Sequence, residues 1–318
     1  MGMNRVAAID CGTNSIRLLI ADALDGRLRE VHREMRIVRL GQGVDATGEF
    51  APDALERTRA ALVDYAALLK THYVGRVRMV ATSAARDAGN RDVFFAMTAD
   101  VLGGVVDGSV AEVISGAEEA VLAFRGAVDE LDSAGSPFVV VDLGGGSTEI
   151  VLGEDGVQAS FSADIGCVRL TERCLHADPP TAAEVATARE VVRERLDEAM
   201  RVVPVSRART WVGVAGTMTT LAALAQNMTV YDSAAIHLSR VSIDRLLTVC
   251  DGLVAMTRAE RAALGPMHQG RADVIGAGAI VVEELAFALR DRAGIDALTV
   301  SEHDILDGIA LSIVTSAP

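Results

Sequence analysis

Lysine is almost absent from this 318-residue sequence. Lys70 is the only one, so arginine supplies nearly all of the positive charge. A Walker P-loop has the pattern GxxxxGK[ST], and no glycine in this chain is followed by lysine. That class of nucleotide-binding loop is therefore excluded. An anionic ligand would therefore meet arginine almost exclusively, and the planar fork of arginine can bind phosphate oxygens two at a time.

Cysteine and histidine are also scarce, and neither shows the spacing of metal ligands. The four cysteines, Cys11, Cys167, Cys174 and Cys250, contain no CxxC pair, which argues against a disulfide framework or a zinc site. We expect them to be reduced and to pack in the interior. The six histidines likewise form no pair with metal-ligand spacing, so each is predicted to be an ordinary surface residue.

The chain lacks both a long uncharged apolar run and an excess of positive charge. Charged residues interrupt its apolar stretches well before the length that crosses a bilayer, and no cleavable apolar leader is evident. The net charge of −14 repels nucleic acid and anionic membranes over most of the surface. We therefore predict a cytoplasmic protein with neither kind of partner. Half of the residues are hydrophobic, and the length suits two domains better than one.

Two short segments rich in glycine and hydroxyl residues each follow a strand-like apolar run. They are DCGTNS at residues 10–15 and DLGGGSTE at residues 142–149, and each leads into a second apolar run, which predicts a hairpin. Glycine lets backbone N–H groups approach an anion, hydroxyls add donors, and an aspartate at the strand end can hold a divalent cation. One copy alone would be read as an ordinary glycine-rich turn. Two copies favour a phosphate site built from two lobes.

The two halves of the sequence repeat one order of predicted elements: three strands, a helix, a strand, a helix and a strand. The first half has strands at 6–9, 16–21, 28–40, 77–81 and 110–114 and helices at 52–72 and 90–103. The second half has strands at 138–141, 150–152, 157–161, 210–214 and 297–300, and helices from 181, at 217–225, at 272–292 and from 303, with extra helical material at 242–264. Thr181 and Glu184 form a capping box.

This order resembles the α/β layout of two ribonuclease H-like, actin-like lobes with the active site in the cleft between them. We predict an N-terminal lobe of residues 1–120, joined by the C-terminal helix 301–318, and a second lobe of residues 121–300 with a helical insertion. A dinucleotide-binding fold fits poorly, because it needs GxGxxG between a strand and a helix. In this chain the three glycines at 144–146 lead into another strand.

Four motifs occur in the order that they have in one known family. They are AIDCGTNS at 8–15, TSAARD at 82–87, ISGAEEA at 114–120 and VDLGGGSTE at 141–149. The sequence thus resembles the exopolyphosphatase and guanosine pentaphosphate phosphohydrolase (Ppx/GppA) family. GVAGTMTT at 213–220 and RADVI at 271–275 extend the resemblance over nearly the whole chain. Only the two-lobed core of the family is expected, without the C-terminal helical domains of its long members.

The resemblance implies a metal-dependent hydrolase with its catalytic glutamate at Glu119, which would orient or deprotonate the attacking water. Glu118 is a second catalytic candidate of uncertain role, although acids at the start of a helix are also favoured by the helix dipole alone. The family pattern places metal binding at Asp142 and Glu149, with Asp10 as the equivalent acid of the first lobe. Mg²⁺, or Mn²⁺, is the expected ion because hard cations prefer oxygen ligands.

Phosphate contacts are predicted on both turns and at three other points. Arg86 corresponds to a phosphate-binding arginine of the family, although a surface ion pair with Asp87 would also explain it. For Arg17, phosphate binding and a half-exposed strand position are equally open. Gly216 and Thr217 begin a helix and form a plausible anion site. The predicted phosphate-binding residues are Gly12, Thr13, Asn14, Ser15, Arg17, Arg86, Gly144, Gly145, Gly146, Ser147, Gly216 and Thr217.

These assignments predict an exopolyphosphatase that removes the terminal phosphate of inorganic polyphosphate, with short chains as a weaker expectation. Guanosine pentaphosphate is the second candidate substrate, because the same core serves both in the family. An actin-like kinase would be recognised by ADP-dependent formation of ATP. A polyphosphate or nucleotide sensor would be recognised by ligand-induced stabilisation without turnover. The resemblance also leads us to expect a homodimer.

Overall fold

The computed structural model describes residues 4–24 and 26–315, and the chain divides into two compact units. The first unit contains the chain up to Gly126 together with the stretch from Ile305 onward, and the second contains Ala127–Asp304. The sequence-based prediction placed these boundaries at 120 and 300. No helix in the described ranges combines the length and the apolar character that crossing a membrane requires.

The first unit is built on a five-stranded sheet. Its elements are β1 (Asn4–Cys11), β2 (Ser15–Leu24), β3 (Arg27–Ile37), α1 (Val44–Thr47), α2 (Pro52–Thr71), β4 (Arg76–Ala81), α3 (Ser83–Asp87), α4 (Arg91–Gly103), β5 (Ala111–Val113) and α5 (Gly116–Val128). The strands lie in the order β3-β2-β1-β4-β5. β1 pairs antiparallel with β2 and parallel with β4, so a meander is followed by helical crossovers.

The second unit contains a six-stranded sheet. Its elements are β6 (Phe138–Leu143), β7 (Thr148–Gly153), β8 (Val157–Ala163), α6 (Cys167–Cys174), α7 (Ala182–Val202), β9 (Thr210–Val214), α8 (Ala215–Ala225), α9 (Ser233–Ile236), β10 (Arg240–Ser242), α10 (Ile243–Ala255), α11 (Arg258–Ala262), α12 (Ile275–Ala293) and β11 (Ala297–Val300). The strand order is β10-β11-β9-β6-β7-β8. The last helix, α13 (Ile305–Thr315), belongs to the first unit.

Both sheets share one core topology, in which the meander of three strands is continued by two parallel strands. The order β8-β7-β6-β9-β11 of the second unit matches β3-β2-β1-β4-β5 of the first. The repeat predicted from the sequence is therefore confirmed. The prediction missed the edge strand β10, which pairs antiparallel with β11, and the short helix α6.

The central strand β1 is buried on both faces, which explains its continuous apolar sequence. Ile9 belongs to a core that also contains Leu62 of α2, whereas Ala8 belongs to a separate core that contains Ile309 of α13. Successive strand residues point to opposite faces of a sheet, so a stretch covered on both sides, here residues 6–9, is apolar at consecutive positions. The glycine turn that follows β1 is therefore attached to a rigid support.

Helix α7 begins with the capping box that the sequence predicts. The Thr181 hydroxyl accepts a hydrogen bond from the Glu184 N–H, and the Glu184 carboxylate accepts one from the Thr181 N–H at 2.7 Å. The N–H groups of His176 and Ala177 donate to the same carboxylate at 2.9 and 3.1 Å. These donors, the Thr181 N–H foremost, lower the pKa of Glu184 from 4.5 to about 2.

This pKa shift predicts a pH-dependent contribution to stability. Since the folded pKa lies below the ordinary value, ionised Glu184 stabilises the fold above about pH 4.5, and the effect disappears as the pH falls to about 2. At pH 7 we expect a higher urea midpoint for the wild type than for Glu184→Gln. The two midpoints should become equal as the pH falls from about 4.5 to about 2. Glu190→Gln, an exposed position of the same helix, controls for the change in charge. A difference in urea midpoint that persists at about pH 2 would show that the ionised Glu184 carboxylate is not the source of the stabilisation.

Candidate active site

A glycine–serine turn joins the first two strands of each unit. The Gly12 N–H donates to the Ser15 carbonyl at 2.9 Å, and the Gly144 N–H donates to the Ser147 carbonyl at 3.0 Å. The two predicted hairpins are thus one turn built twice. In the first copy, the Thr13 hydroxyl is buried and has no hydrogen-bond partner among the described residues. A buried hydroxyl of this kind can donate to a bound anion.

The residue that faces the strand-end aspartate differs between the two copies. In the first unit Asp10 is paired in register with Arg17, whose Nη2 and Nε lie 2.6 and 3.0 Å from Asp10 Oδ2. In the second unit Asp142 is paired with Glu149 at the corresponding position. One copy therefore places arginine opposite its aspartate, and the other places a second acid there. The second arrangement brings two negative charges together, which suits a cation.

Asp142 and Glu149 form the stronger candidate for a metal site. Both side chains are buried, and the register sets them directly opposite one another on β6 and β7. The Ser162 hydroxyl of β8 donates to Glu149 Oε1 at 2.7 Å and fixes the orientation of that carboxylate. Two carboxylates supply the hard oxygen donors that Mg²⁺ and Mn²⁺ prefer. The residues present therefore fit a divalent ion.

Asp10, which was predicted to bind the metal, forms an ion pair within its own hairpin. One of its carboxylate oxygens already accepts two hydrogen bonds from Arg17. For Arg17 the sequence left open phosphate binding or a strand position without a ligand, and the structure adds the contact with Asp10. Metal binding by Asp10 and phosphate binding by Arg17 both stay predictions.

Glu119 lies in the first turn of α5 and is buried. Arg86 Nη1 donates to Glu119 Oε2 at 2.6 Å and to the Ile114 carbonyl at 3.2 Å. The same arginine was predicted to bind phosphate. Because the guanidinium stabilises the ionised carboxylate, the geometry favours a Glu119 that orients water over one that becomes protonated in the reaction.

Glu118 points elsewhere, although it is the next residue along the chain. Arg78 donates to Glu118 Oε1 at 2.6 Å and to Glu112 Oε1 at 2.5 Å, and the Glu118 side chain is 45% exposed. Consecutive residues of a helix project in different directions. Glu118 thus belongs to a surface ion-pair network, and its geometry gives no support to a catalytic role.

The start of α8 is a tight junction between strand and helix. Ala215 has a φ of +70°, a left-handed conformation that is uncommon outside glycine. Arg271 Nη1 donates to the Gly216 carbonyl at 3.3 Å, and a Cβ on residue 216 would overlap the guanidinium. A side chain at 216 would therefore displace the Arg271 guanidinium. Arg271 was not among the predicted site residues, although it begins the motif RADVI.

Cys167 connects this junction to the second glycine turn. Its N–H donates to the Gly144 carbonyl at 3.0 Å, and its side chain contacts Thr217. The second turn, Thr217 and Arg271 therefore lie in one neighbourhood of the second unit. Burial raises the pKa of Cys167 to about 11, and burial also raises the pKa of Cys11. Both residues are thiols at neutral pH, in keeping with the packing role expected of Cys11.

Each turn is held in place by the segment that follows the third strand of its meander. In the first unit the Gly41 N–H donates to the Thr13 carbonyl at 2.9 Å. In the second unit the N–H groups of Cys167 and Val168 donate to the carbonyls of Gly144 and Gly145 at 3.0 and 2.9 Å. The carbonyl side of both turns is thus bound to backbone donors, which fixes the turns before any ligand arrives.

The family is decided by comparison with known proteins. The sequence model of the Ppx/GppA phosphatase family matches residues 19–313. The chain belongs to this family. The resemblance inferred from the four motifs is confirmed, and with it the prediction of a hydrolase. Membership of the Ppx/GppA family also implies dependence on a divalent metal, which the Asp142–Glu149 pair is suited to bind.

Individual relatives within the Ppx/GppA family are similar over the full length. The chain is 75% identical over 317 residues to Exopolyphosphatase 2 of Mycobacterium tuberculosis, with 98% of this chain and 99% of that one covered. A solved exopolyphosphatase-like protein superposes with a TM-score of 0.94 at 42% identity, covering 98% of both chains. The Ppx/GppA family member of Aquifex aeolicus superposes with a TM-score of 0.80 at 33% identity, covering 99% of this chain and 98% of that one. These similarities confirm the predicted fold of two actin-like lobes.

The prediction missed the residues that support the turns. Gly41 and Gly166 have no room for a Cβ, because it would overlap the Thr13 side chain and the Gly145 carbonyl respectively. Ser162, which holds Glu149, was also missed. A backbone N–H carries no residue signature, so only the motif around Arg271 offered a signal in the sequence.

Gly166 provides a test of how strictly the second turn must be held. Its φ of −131° and ψ of 163° suit any residue, so the obstacle to a side chain is the Gly145 carbonyl alone. We expect Gly166→Ala to displace the turn and to lower the rate of phosphate release about 100-fold. The free energy of unfolding, measured in urea, should fall by about 1–3 kcal/mol.

Gly156→Ala is the matched control, because nothing lies within 4 Å of a Cβ built at that loop position in the same unit. It should leave both the rate and the stability close to those of the wild type. Full activity in Gly166→Ala would mean that the position of the turn does not govern the reaction.

Proposed function

We propose that this chain is an exopolyphosphatase, which hydrolyses the terminal phosphoanhydride of inorganic polyphosphate and requires Mg²⁺ or Mn²⁺. One observation carries the chemistry: a turn suited to phosphate is built twice, and in one copy two buried acids face each other across the hairpin. The substrate follows from the relative in Mycobacterium tuberculosis, which is named an exopolyphosphatase and is 75% identical.

The first unit supplies phosphate binding and the alignment of water. Backbone N–H groups and the Thr13 hydroxyl of its turn donate to phosphate oxygens. Glu119, held by Arg86, accepts a hydrogen bond from a water molecule and directs the oxygen at phosphorus. Both side-chain hydrogen bonds of Arg86 use Nη1, so its Nη2 can bind a phosphate oxygen at the same time.

The second unit supplies the acids and a second set of phosphate donors. Asp142 and Glu149 hold the divalent ion, which when bound neutralises charge on the phosphate oxygens. The turn from Gly144 to Ser147 and the start of α8 at Thr217 donate to the chain of phosphates. As the bond from water to phosphorus forms, the anhydride oxygen leaves with the shortened polymer, orthophosphate is released, and the water proton passes to solvent.

The test is release of orthophosphate from polyphosphates of defined length and from guanosine pentaphosphate, with Mg²⁺, with Mn²⁺ and with a chelator. We expect release from polyphosphate with either metal, with short chains preferred, and no release with chelator. No release from either substrate would overturn the proposal. Release from guanosine pentaphosphate alone would reassign the substrate, and formation of ATP from ADP would indicate a kinase.

The same proposal includes a homodimer, which rests on the family resemblance, and a cytoplasmic location. Light scattering during size-exclusion chromatography measures the mass of the assembly directly. A mass of 33.3 kDa, that of a single chain, would contradict the dimer.

A further inference from the structure

Glu130, His237 and His303 come together in the second unit, although they are far apart in the sequence. One ligand atom from each lies within 4.8 Å of the other two, and no other group of this kind occurs in residues 4–24 and 26–315. His237 Nε2 is 2.8 Å from Glu130 Oε2, and His303 Nδ1 is 3.9 Å from the same oxygen. We propose that this cluster is a second metal site, which binds a transition-metal ion of the Zn²⁺ type.

The ligand set determines which ions the cluster would accept. Two imidazole nitrogens and one carboxylate oxygen suit Zn²⁺, Co²⁺ or Ni²⁺, and a water molecule can complete a four-coordinate shell. Asp142 and Glu149 offer oxygen alone, which suits Mg²⁺ or Mn²⁺. The two places in the molecule are therefore selective for different ions. None of the three cluster residues has a part in the proposed hydrolysis.

The spacing of the cluster is close to that of a bound site. Ligands at about 2.0–2.1 Å from a tetrahedral Zn²⁺ lie about 3.3 Å from one another. The observed separations of 2.8 and 3.9 Å fall on either side of that value. The two imidazole rings are 4.5 Å apart at their centroids and inclined by 42°, so neither ring blocks the other. The three ligand atoms are thus already near the spacing that one ion requires.

One hydrogen bond opposes binding and must break. The Glu302 N–H donates to His237 Nδ1 at 3.2 Å, from which we infer that the neutral ring carries its proton on Nε2 and donates it to Glu130. A metal can bind Nε2 only in the other tautomer, in which the ring exchanges its proton with solvent and carries it on Nδ1, facing the Glu302 N–H. The backbone at 302 must therefore shift, so we expect weaker binding than at a preformed structural zinc site.

The positions of the ligands in the chain predict the effect of binding. Glu130 lies near the beginning of the second unit, His303 lies next to its last residue, and His237 follows α9. An ion at this cluster would tie the beginning and the end of the unit to its middle. Because the three ligands meet only in the folded chain, binding would stabilise the folded unit. The stabilisation should appear with Zn²⁺ and not with additional Mg²⁺.

The experiment titrates the full-length, metal-free protein with Zn²⁺ and with Co²⁺ in a large excess of Mg²⁺, which occupies the all-oxygen site. We expect one equivalent to bind, the thermal midpoint to rise by several degrees, and Co²⁺ to give the visible absorption of a nitrogen-ligated tetrahedral ion. His237→Asn with His303→Asn should lose all three signals. Phosphate release with Mg²⁺ should be the same in the double variant and in the wild type.

His32→Asn is the matched control. His32 Nε2 also lies 3.2 Å from a glutamate oxygen, that of Glu34, but this pair belongs to no three-ligand group in the described ranges. Glu130→Gln, with a half-exposed side chain, is a second variant in case the histidine variants do not fold. A wild type without the Zn²⁺ equivalent, or an equivalent that survives in the variants, would overturn the proposal. Neither result depends on whether polyphosphate is the substrate.

Discussion

Replacement of Glu119 by Gln is expected to lower the rate of phosphate release from polyphosphate by about 10³-fold while polyphosphate binding is retained. The amide keeps an oxygen that accepts the hydrogen bond from Arg86, so the helix start and the arginine stay in place. What is lost is the negative charge that holds and polarises the attacking water. Binding should even tighten, because Arg86 would then face phosphate without a carboxylate to neutralise it. Turnover and calorimetric binding, measured on the same preparation, separate the two effects.

Glu118→Gln is the matched control, since it makes the same chemical change one residue away. Glu118 pairs with Arg78 at an exposed position, where a single ion pair contributes little to stability. We expect its turnover to stay within about twofold of the wild type and its unfolding free energy to change by less than about 0.5 kcal/mol. Equal losses of turnover in the two variants would contradict the proposal that Glu119 aligns the attacking water. Loss of binding in a folded Glu119→Gln would do the same.

The difference between Glu118 and Glu119 shows where sequence reasoning ends. The motif located the helix start correctly, because acids and a preceding serine are local signals. The family resemblance chose Glu119 over Glu118, but the local residues did not explain that choice, because the two environments come from Arg78 and Arg86 on other elements. Long-range partners of this kind depend on the assembled fold. They leave no pattern in the residues that they contact.

The hairpins illustrate the part of the site that is readable in advance. Once the turns at Gly12 and Gly144 are recognised, the antiparallel register follows, and it sets Asp142 opposite Glu149. The same step applied to the first copy would have set Arg17 opposite Asp10, so that contact was available from the sequence. The supporting roles of Gly41 and Gly166 could not be predicted from the sequence, because the segments that carry them act through backbone N–H groups and excluded volume.

The histidines show a further limit of sequence reasoning. Spacing along the chain indicated no metal-ligand pair, and each histidine was predicted to be an ordinary surface residue. His237 and His303 nevertheless meet at Glu130, because β10 and β11 pair in the sheet and bring the ends of their flanking loops together. A test based on sequence spacing detects ligands on one helix or one turn. It cannot detect ligands that strand pairing brings together.

Replacement of Glu149 by Gln is expected to lower phosphate release at least 100-fold, with little recovery at high Mg²⁺, because one of the two facing carboxylates no longer binds the ion as an anion. Ser162→Ala should weaken metal binding in the same way but to a smaller extent. It removes the hydroxyl that donates to Glu149 Oε1 at 2.7 Å and leaves the carboxylate itself. We therefore expect a Mg²⁺ requirement about 10–100-fold higher with a maximal rate close to that of the wild type.

Titration of phosphate release against Mg²⁺ distinguishes these variants from a general loss of packing. Ser160→Ala, two residues away on β8 and on the same face of the strand, should keep the wild-type Mg²⁺ curve. The contrary result would be a Ser162→Ala enzyme with a lower maximal rate and an unchanged Mg²⁺ requirement. That result would mean that Ser162 does not act on the metal site. If Glu149→Gln also kept the wild-type curve, the acid pair would not hold the ion. The contrast between Asp142–Glu149 and Asp10–Arg17 would then need another explanation.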